Sequence, residues 1–144
     1  MATRTAPIDR EGLEILGTDE CLRLMARAKV GRIAFVDAGE PMVLPVNHAL
    51  DGHDVVFRSA SGSKLDAAWG ARPVAFEVDA FDELGRVGWS VLVRGTADIV
   101  TDPRECERLD TLELRPWADA VPRSEWIRIR PTEISGRRIR PRMI

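Results

Sequence analysis

The stretch FRSASGSKLDAAW, residues 57 to 69, gathers the groups that hold a phosphate: an arginine, three serines, a glycine and a lysine. Lys64 stands out because the chain contains 21 basic residues and only two are lysines, Lys29 and Lys64. The alternation around Val56 and Arg58 reads as a strand ending at Ser59. The chain then turns through Gly62 into a helix that Ser63 caps, with Asp66 at the third helical position completing a capping box. Lys64 falls in the first helical turn, where the positive end of the helix dipole disfavours a cation. A bound anion reverses that argument, because free backbone N–H groups, the hydroxyls of Ser59 and Ser63, Lys64 and Arg58 would all favour a phosphate. Gly62 lets the backbone approach closely. The plainer alternative is a solvated lysine on an ordinary helix start. SASGSKLD lacks the glycine spacing and the hydroxyl after the lysine of a P-loop, so nucleotide hydrolysis is not expected.

Other chemistry is sparse. No Ser-His-Asp order, paired carboxylate or cluster with metal-ligand spacing compels a hydrolase or a metal centre, and the chain has no tyrosine. No residue is therefore assigned as a catalytic acid or base or as a metal ligand. His48 alternates onto the face of Leu44 and Val46, the position of a packed strand histidine. Trp117, in RPWAD, either covers a planar ligand or anchors a loop from beneath. Cys21 and Cys106 lie far apart in segments that read as helices, which suits two reduced core thiols.

Composition bounds the rest. With 144 residues, 44% of them hydrophobic, the chain suits one globular domain burying roughly 70% of its unfolded surface. The net charge of -2, from 21 basic and 23 acidic residues, argues against a nucleic-acid or anionic-membrane partner held by charge. The basic run RRIRPR is accordingly read as solvated or paired across a dimer. The N-terminus carries Asp9, Glu11 and Glu14 where a signal peptide needs an apolar run, so a cytoplasmic protein is expected.

The elements that must position these residues follow from periodicity. Residues 1 to 17 read as an N-terminal arm broken by Pro7, Gly12 and Gly17. Thr18 is expected to cap a helix running to about Lys29, with Leu22, Met25 and Ala26 on its apolar face. VGRIAFV (30 to 36), PMVLPVNHAL (41 to 50) and HDVVFRS (53 to 59) read as an antiparallel meander joined by DAGE and DG turns. In the second strand Met42, Leu44, Val46 and His48 share one face, and Val43, Pro45, Asn47 and Ala49 the other. Both faces are mostly apolar, and both are expected to be covered. After a short helix come RPVAFEVDAF (72 to 81) and VGWSVLVRGTADIV (87 to 100), with Gly95 as a bulge. Asp102, Pro103 and Glu105 open a second helix, in which Cys106, Leu109 and Leu112 form the apolar face. EWIRIRPTEI closes the chain as a sixth strand before a basic tail. The pattern predicts a mainly β, α+β fold: a six-stranded antiparallel barrel with short flanking helices.

Three blocks in order, VGRIAFVDAGEPMVLPVNHALDGHDVVFRSASGSKLDAA, GWSVLVRGTADIV and WIRIRPTEISGRRI, resemble the pyridoxamine 5'-phosphate oxidase-like superfamily of flavin-binding split β-barrels. The likeness spans about Cys21 to Ile139 and is closest to the small bacterial members. It implies a split barrel over residues 18 to 140, a tail at 141 to 144, and a homodimer with flavin sites at the interface. It also implies that Leu44, Pro45, Val46 and Asn47 run beneath the flavin ring. Arg58, Ser59, Ser63 and Lys64 would hold the phosphate of FMN, and Trp89 and Arg94 would approach from the partner subunit. The Arg-x-His pair of the true oxidases is missing, since the two histidines are His48 and His53. Met42 and Asn47 also replace basic residues on the ring strand, so oxidation of pyridoxamine phosphate itself is not expected. What remains is a flavin-dependent oxidoreductase acting on a small molecule. The alternatives are a deazaflavin-dependent reductase of the actinobacterial kind, which the arginine-rich composition of a GC-rich genome suits, and a carrier or sensor of flavin or tetrapyrrole. A barrel that binds nothing and serves as an interaction module is a further possibility.

Overall fold

The computed structural model describes residues 6–60, 70–118 and 125–140, and the expected helix start at Gly62, Ser63 and Lys64 lies outside them. The elements are β1 (Glu14–Leu16), α1 (Thr18–Arg27), β2 (Val30–Asp37), β3 (Glu40–Asp51), β4 (Asp54–Ser59), β5 (Arg72–Asp82), β6 (Val87–Ile99), α2 (Pro103–Asp110) and β7 (Glu125–Ile139). Every strand pairing is antiparallel, in the order β1-β7-β4-β3-β2-β5-β6, and β6 also pairs with β7. Strands β2 to β7 therefore form the expected closed six-stranded ring, and β1 is a seventh strand outside it.

Alternation fills the ring. Ile33, Phe35, Val55, Phe57, Val74, Phe76, Val78, Val91, Val93, Ala97, Ile127 and Ile129 are buried in one cluster. Helix α1 plugs it with Cys21, Leu24 and Met25. That face differs from the expectation, since Ala26 is exposed and Leu24 takes the buried place. Thr18 is the first helical residue rather than the cap, a role that falls to Gly17 without a side-chain bond. A second cluster outside the barrel packs Leu109 of α2 on Val56 and Trp126. Here the cap matches expectation: Asp102 accepts from the Arg104 N–H at 3.1 Å, and Pro103 follows. The Glu105 carboxylate bonds Arg108 and Arg128.

The DAGE turn between β2 and β3 puts Ala38 and Gly39 at φ 50° and 80°, the twist a two-residue hairpin needs. Gly95 forms the bulge against β7, where the register shifts between Arg94 and Gly95. A Cβ there would lie 2.1 Å from the Arg130 carbonyl oxygen, so only glycine admits the two backbones.

The closing strand is longer than the sequence suggests. β7 continues to Ile139 through the arginines read as a tail, and its last turn of sequence pairs with β1, inside the segment assigned to the arm. The arginines find partners within the chain: Arg137 on Asp9 at 2.9 Å, and Arg138 on Glu14 and Glu20 at 3.1 and 3.0 Å. These ion pairs are intramolecular, rather than solvated or across a dimer.

A denser network sits outside the β4–β7 seam. The Arg128 side chain is 9% exposed and reaches Asp51 and Asp54 at 2.8 and 2.7 Å, while Arg108 grips Asp51 through both carboxylate oxygens. Hydrogen bonds from Arg108, with Arg128 adding to them, hold the Asp51 carboxyl well below its ordinary value of 3.8. Arg128→Leu would leave Asp54 without its ion-pair partner and Asp51 with Arg108 alone. We expect a loss of about 2 to 3 kcal/mol at pH 7, under the 3–5 of a sealed ion pair because Asp54 and Glu105 keep contact with water. A depressed carboxyl stabilises above its unfolded pKa and loses that contribution as pH falls below it. Urea denaturation should therefore show the deficit shrinking between pH 7 and pH 3, and an unchanged deficit would remove Asp51 from the account.

Candidate functional site

The strand that the resemblance sets beneath the flavin ring is β3. Its inward residues, Met42, Leu44 and Val46, pack on the barrel core, so Leu44 can offer a ligand only its backbone. Its outward residues face a different environment, and the expectation that both faces are covered does not hold for the described chain: Val43 is 60% exposed. The register puts Ala34 opposite Val43 and Arg32 opposite Pro45. Continuing the His48–Phe57 pairing by one step sets Asn47 beside Arg58 of β4.

Four of the expected residues meet there. Pro45, Val46, Asn47 and Arg58 line a cavity of about 110 Å³, closed on its other side by Pro116 and Ala118. The Arg58 guanidinium lies 4.8 Å from the Trp126 ring centroid and 3.8 Å from Asp110. Its Nε is buried without a hydrogen-bond partner among the described residues. A buried donor without a partner costs about 1–3 kcal/mol, while the stacking on Trp126 and the ion pair with Asp110 hold the guanidinium in place. Ser59 follows it, 8% exposed at the end of β4. Ser63 and Lys64 lie outside the described residues.

Asn47 is already committed. Its Nδ2 donates to the Lys29 carbonyl at 3.5 Å and its Oδ1 accepts from the Trp117 N–H at 2.8 Å. The amide therefore clips the segment after α2 to the ring strand, and β3 can meet a ligand here through its backbone. Pro116 and Ala118, which line the cavity, escaped the sequence reading, while Trp117 between them is the residue that reading offered as the cover of a planar ligand. Trp117 is 75% exposed, so it does not anchor a loop from beneath.

His48 is the packed strand histidine expected. It is 3% exposed, bonds the Met25 carbonyl through Nε2 at 3.0 Å, and meets Phe76 edge-on at 5.1 Å. Burial pushes its pKa below 6.5, against the pull of the Met25 carbonyl, so it is neutral at pH 7.

Trp89 and Arg94 of β6 lie elsewhere on the chain. Trp89 lines a separate cavity of about 250 Å³ with Phe81, Arg137, Arg138 and Ile139, while Arg94 pairs with Glu133 at 3.1 Å. Cys21 and Cys106 are free thiols in the two helices. No group of three or more potential metal ligands occurs among the described residues, and no helix is long and apolar enough to cross a membrane.

One charged group on the outer face escaped the sequence reading. Glu77 and Asp79 alternate outward on β5 beside Arg32, whose guanidinium lies 3.3 and 3.2 Å from them. Burial, then the neighbouring Asp79, pushes Glu77 up to about 7, although Arg32 opposes the shift. The two carboxylates sit two residues apart on one strand, a spacing that reads as surface alternation until the register reveals the shared arginine.

Comparison with known proteins places these features in context. The family model described as pyridoxamine 5'-phosphate oxidase matches residues 17–138. An uncharacterized protein of Mycobacterium tuberculosis, Rv0080, is 33% identical over 141 residues, 94% of this chain and 91% of that one. The structure of the FAD binding protein from Mycobacterium smegmatis is 36% identical and superposes with a TM-score of 0.76, covering 88% of this chain and 98% of its own. A Corynebacterium glutamicum structure, provisionally named a pyridoxamine 5'-phosphate oxidase, is 34% identical with a TM-score of 0.80 over 92% and 96% of the two chains.

The Glu77 geometry sets a pH dependence. A carboxyl whose folded pKa is raised holds its proton longer than the unfolded chain does, so stability falls as pH rises from 4.5 towards 7. Glu77→Gln should flatten that slope, giving a larger gain in urea midpoint at pH 8 than at pH 5. Equal gains at both would mean that Glu77 titrates as a free carboxylate.

Proposed function

Because the chain belongs to the pyridoxamine 5'-phosphate oxidase family, we propose that it is a dimeric flavin-dependent oxidoreductase acting on a small molecule, with β3 under the flavin ring and Arg58 on its phosphate. The observation that carries the reading is the Arg58 guanidinium, stacked on Trp126, with its Nε unpartnered among the described residues in the cavity that Pro45, Val46 and Asn47 also line. FMN is the flavin that the sequence resemblance implies. FAD is the flavin named for the Mycobacterium smegmatis relative, and either fits a phosphate receptor beside a strand.

A bound flavin supplies the electron transfer, and the protein supplies position and electrostatics. Arg58 holds the phosphate, helped by Ser59 and by Ser63 and Lys64 as the sequence predicts. Pro45 lacks an N–H and Asn47 has its amide engaged by Lys29 and Trp117, so the strand orients the ring through its remaining backbone groups. Among the described residues lining the Arg58 cavity there is no histidine, cysteine or carboxylate. His48 is sealed inside the barrel.

The cavity of about 110 Å³ is too small to enclose a flavin ring, which supports completion by a second copy. The outer face supports this as well: Val36 and Val43 are 56% and 60% exposed on adjacent strands, and Leu92 is 40% exposed on β6. Trp89 and Arg94 would then reach the flavin from the partner subunit. The first test is the visible spectrum of the purified protein, with mass analysis of what acid releases and titration with FMN, FAD and the deazaflavin. We expect a stoichiometric flavin, and Arg58→Ala or Lys64→Ala to weaken it by about 1.5 to 3 kcal/mol, the worth of a hydrogen bond to a charged group. Val43→Asp should yield monomers by sedimentation and lose flavin with them. A colourless protein that binds none of the three sinks the reading.

A further inference from the structure

Beside the Arg58 cavity lies a larger one, of about 470 Å³, and the two share Asn47. Lys29, Asn47, Leu112, Leu114, Arg115 and Trp117 are among its walls. An indole left 75% in water forgoes the apolar burial that places most tryptophans inside a fold. Trp117 is nonetheless not adrift. Its own N–H is held at 2.8 Å by the Asn47 side chain, which is tied in turn to the backbone of Lys29. The segment is fixed by its main chain and leaves the aromatic side chain free. Two cations, Lys29 and Arg115, line the same cavity, neither with an ion-pair partner among the described residues. Glu113 is the acid on the same wall, so the charge there remains positive.

We propose that this cavity is a subsite for a flat aromatic group carrying negative charge, the chemistry of an adenylate, with its ring on Trp117 and its anion on Lys29 and Arg115. Stacking on an exposed aromatic and pairing with cations that have no other partner are complementary demands that such a group meets at once. Two sources offer it. One is the adenylate half of FAD, continuing past the phosphate held by Arg58, and that source rests on the flavin reading. The other is a free nucleotide or aromatic acid bound as substrate, which does not.

Calorimetric titration of the full-length chain with FAD, FMN and AMP separates these cases. Trp117→Ala should weaken FAD or AMP by about tenfold or more, as removal of a base-stacking aromatic does, and leave FMN unchanged. Trp117→Phe should retain most of the affinity, and Arg115→Ala should weaken FAD or AMP without touching FMN. AMP displaced by FAD assigns the subsite to the cofactor, and AMP bound alongside FAD assigns it to the substrate. Because Trp117 is exposed, the variants should melt with the wild type, so lost binding is not lost fold. The proposal is overturned if Trp117→Ala binds FAD and AMP as the wild type does, if FMN weakens as much as FAD, or if AMP and FAD show no affinity beyond that of FMN. A chain that binds no flavin refutes the flavin reading alone, since the AMP titration still decides this one.

Discussion

The barrel depends on one strand being able to serve two edges. β7 pairs with β4 over Glu125–Ile129 and with β6 from Ile127 to Ile139, so Ile127, Arg128 and Ile129 are paired on both sides and the sheet has no free edge there. Closure of this kind removes the row of unpaired backbone groups that an open six-stranded sheet would expose. It requires a sharp local curl, and the Arg94–Gly95 bulge supplies it at the point where a side chain would collide with the Arg130 backbone. Without that glycine the β6 and β7 ladders cannot remain in register past the bend. The inward ladder of Val91, Val93 and Ala97 facing Ile127 and Ile129 would then have no closed space to fill.

A closed barrel filled by side chains leaves no space inside for a ligand. Phe76, Ile33, Met25 and the Cys21 thiol are fully buried, and His48 is sealed among them in a neutral state. The accessible polar groups are organised where elements cross the outer face: α2 over Trp126, Arg58 on that same indole, and the segment from Leu112 to Ala118 tied down by Asn47. Trp126 has two roles. Its indole N–H is fixed by Asp110 at 2.8 Å, and its ring face carries Arg58. Helix α2 thus sets the orientation of a guanidinium that belongs to another element. The charged network of Arg108, Arg128, Asp51 and Glu105 does the same for the helix, anchoring it to the β3–β4 turn.

Much of this was legible in the sequence because period-two alternation is a local property. The strand faces of β3, the bulge at Gly95, the cap at Asp102 and the packed character of His48 all follow from residues within a few positions of one another. The parts that were not legible depend on partners far away in the chain. Ser135 to Ile139 reads as a solvated basic tail because nothing local reveals that Asp9, Glu14 and Glu20 wait at the other end. The Asn47 clip joins two segments 70 residues apart. Arg32 sits beside Glu77 and Asp79 only once β2 and β5 are paired. For the candidate site, Arg58 could be read from type and spacing and the ring strand from the family resemblance, whereas Pro116 and Ala118 could not, because the loop around RPWAD carries no periodicity to place it.

The union of β1 with the end of β7 has a consequence for how the chain is made. Glu14, Ile15 and Leu16 pair with Arg138, Arg137 and Gly136, so β1 finds its neighbour only 124 residues further along the chain. The strand that closes the barrel is likewise the final one. A nascent chain can form the β2–β3–β4 meander and the β5–β6 hairpin early, since their contacts are local, yet it must keep an open, apolar sheet until β7 has been made. Asp9, Glu14 and Glu20 on one side and the arginines of β7 on the other then act as complementary latches that draw β1 onto β7.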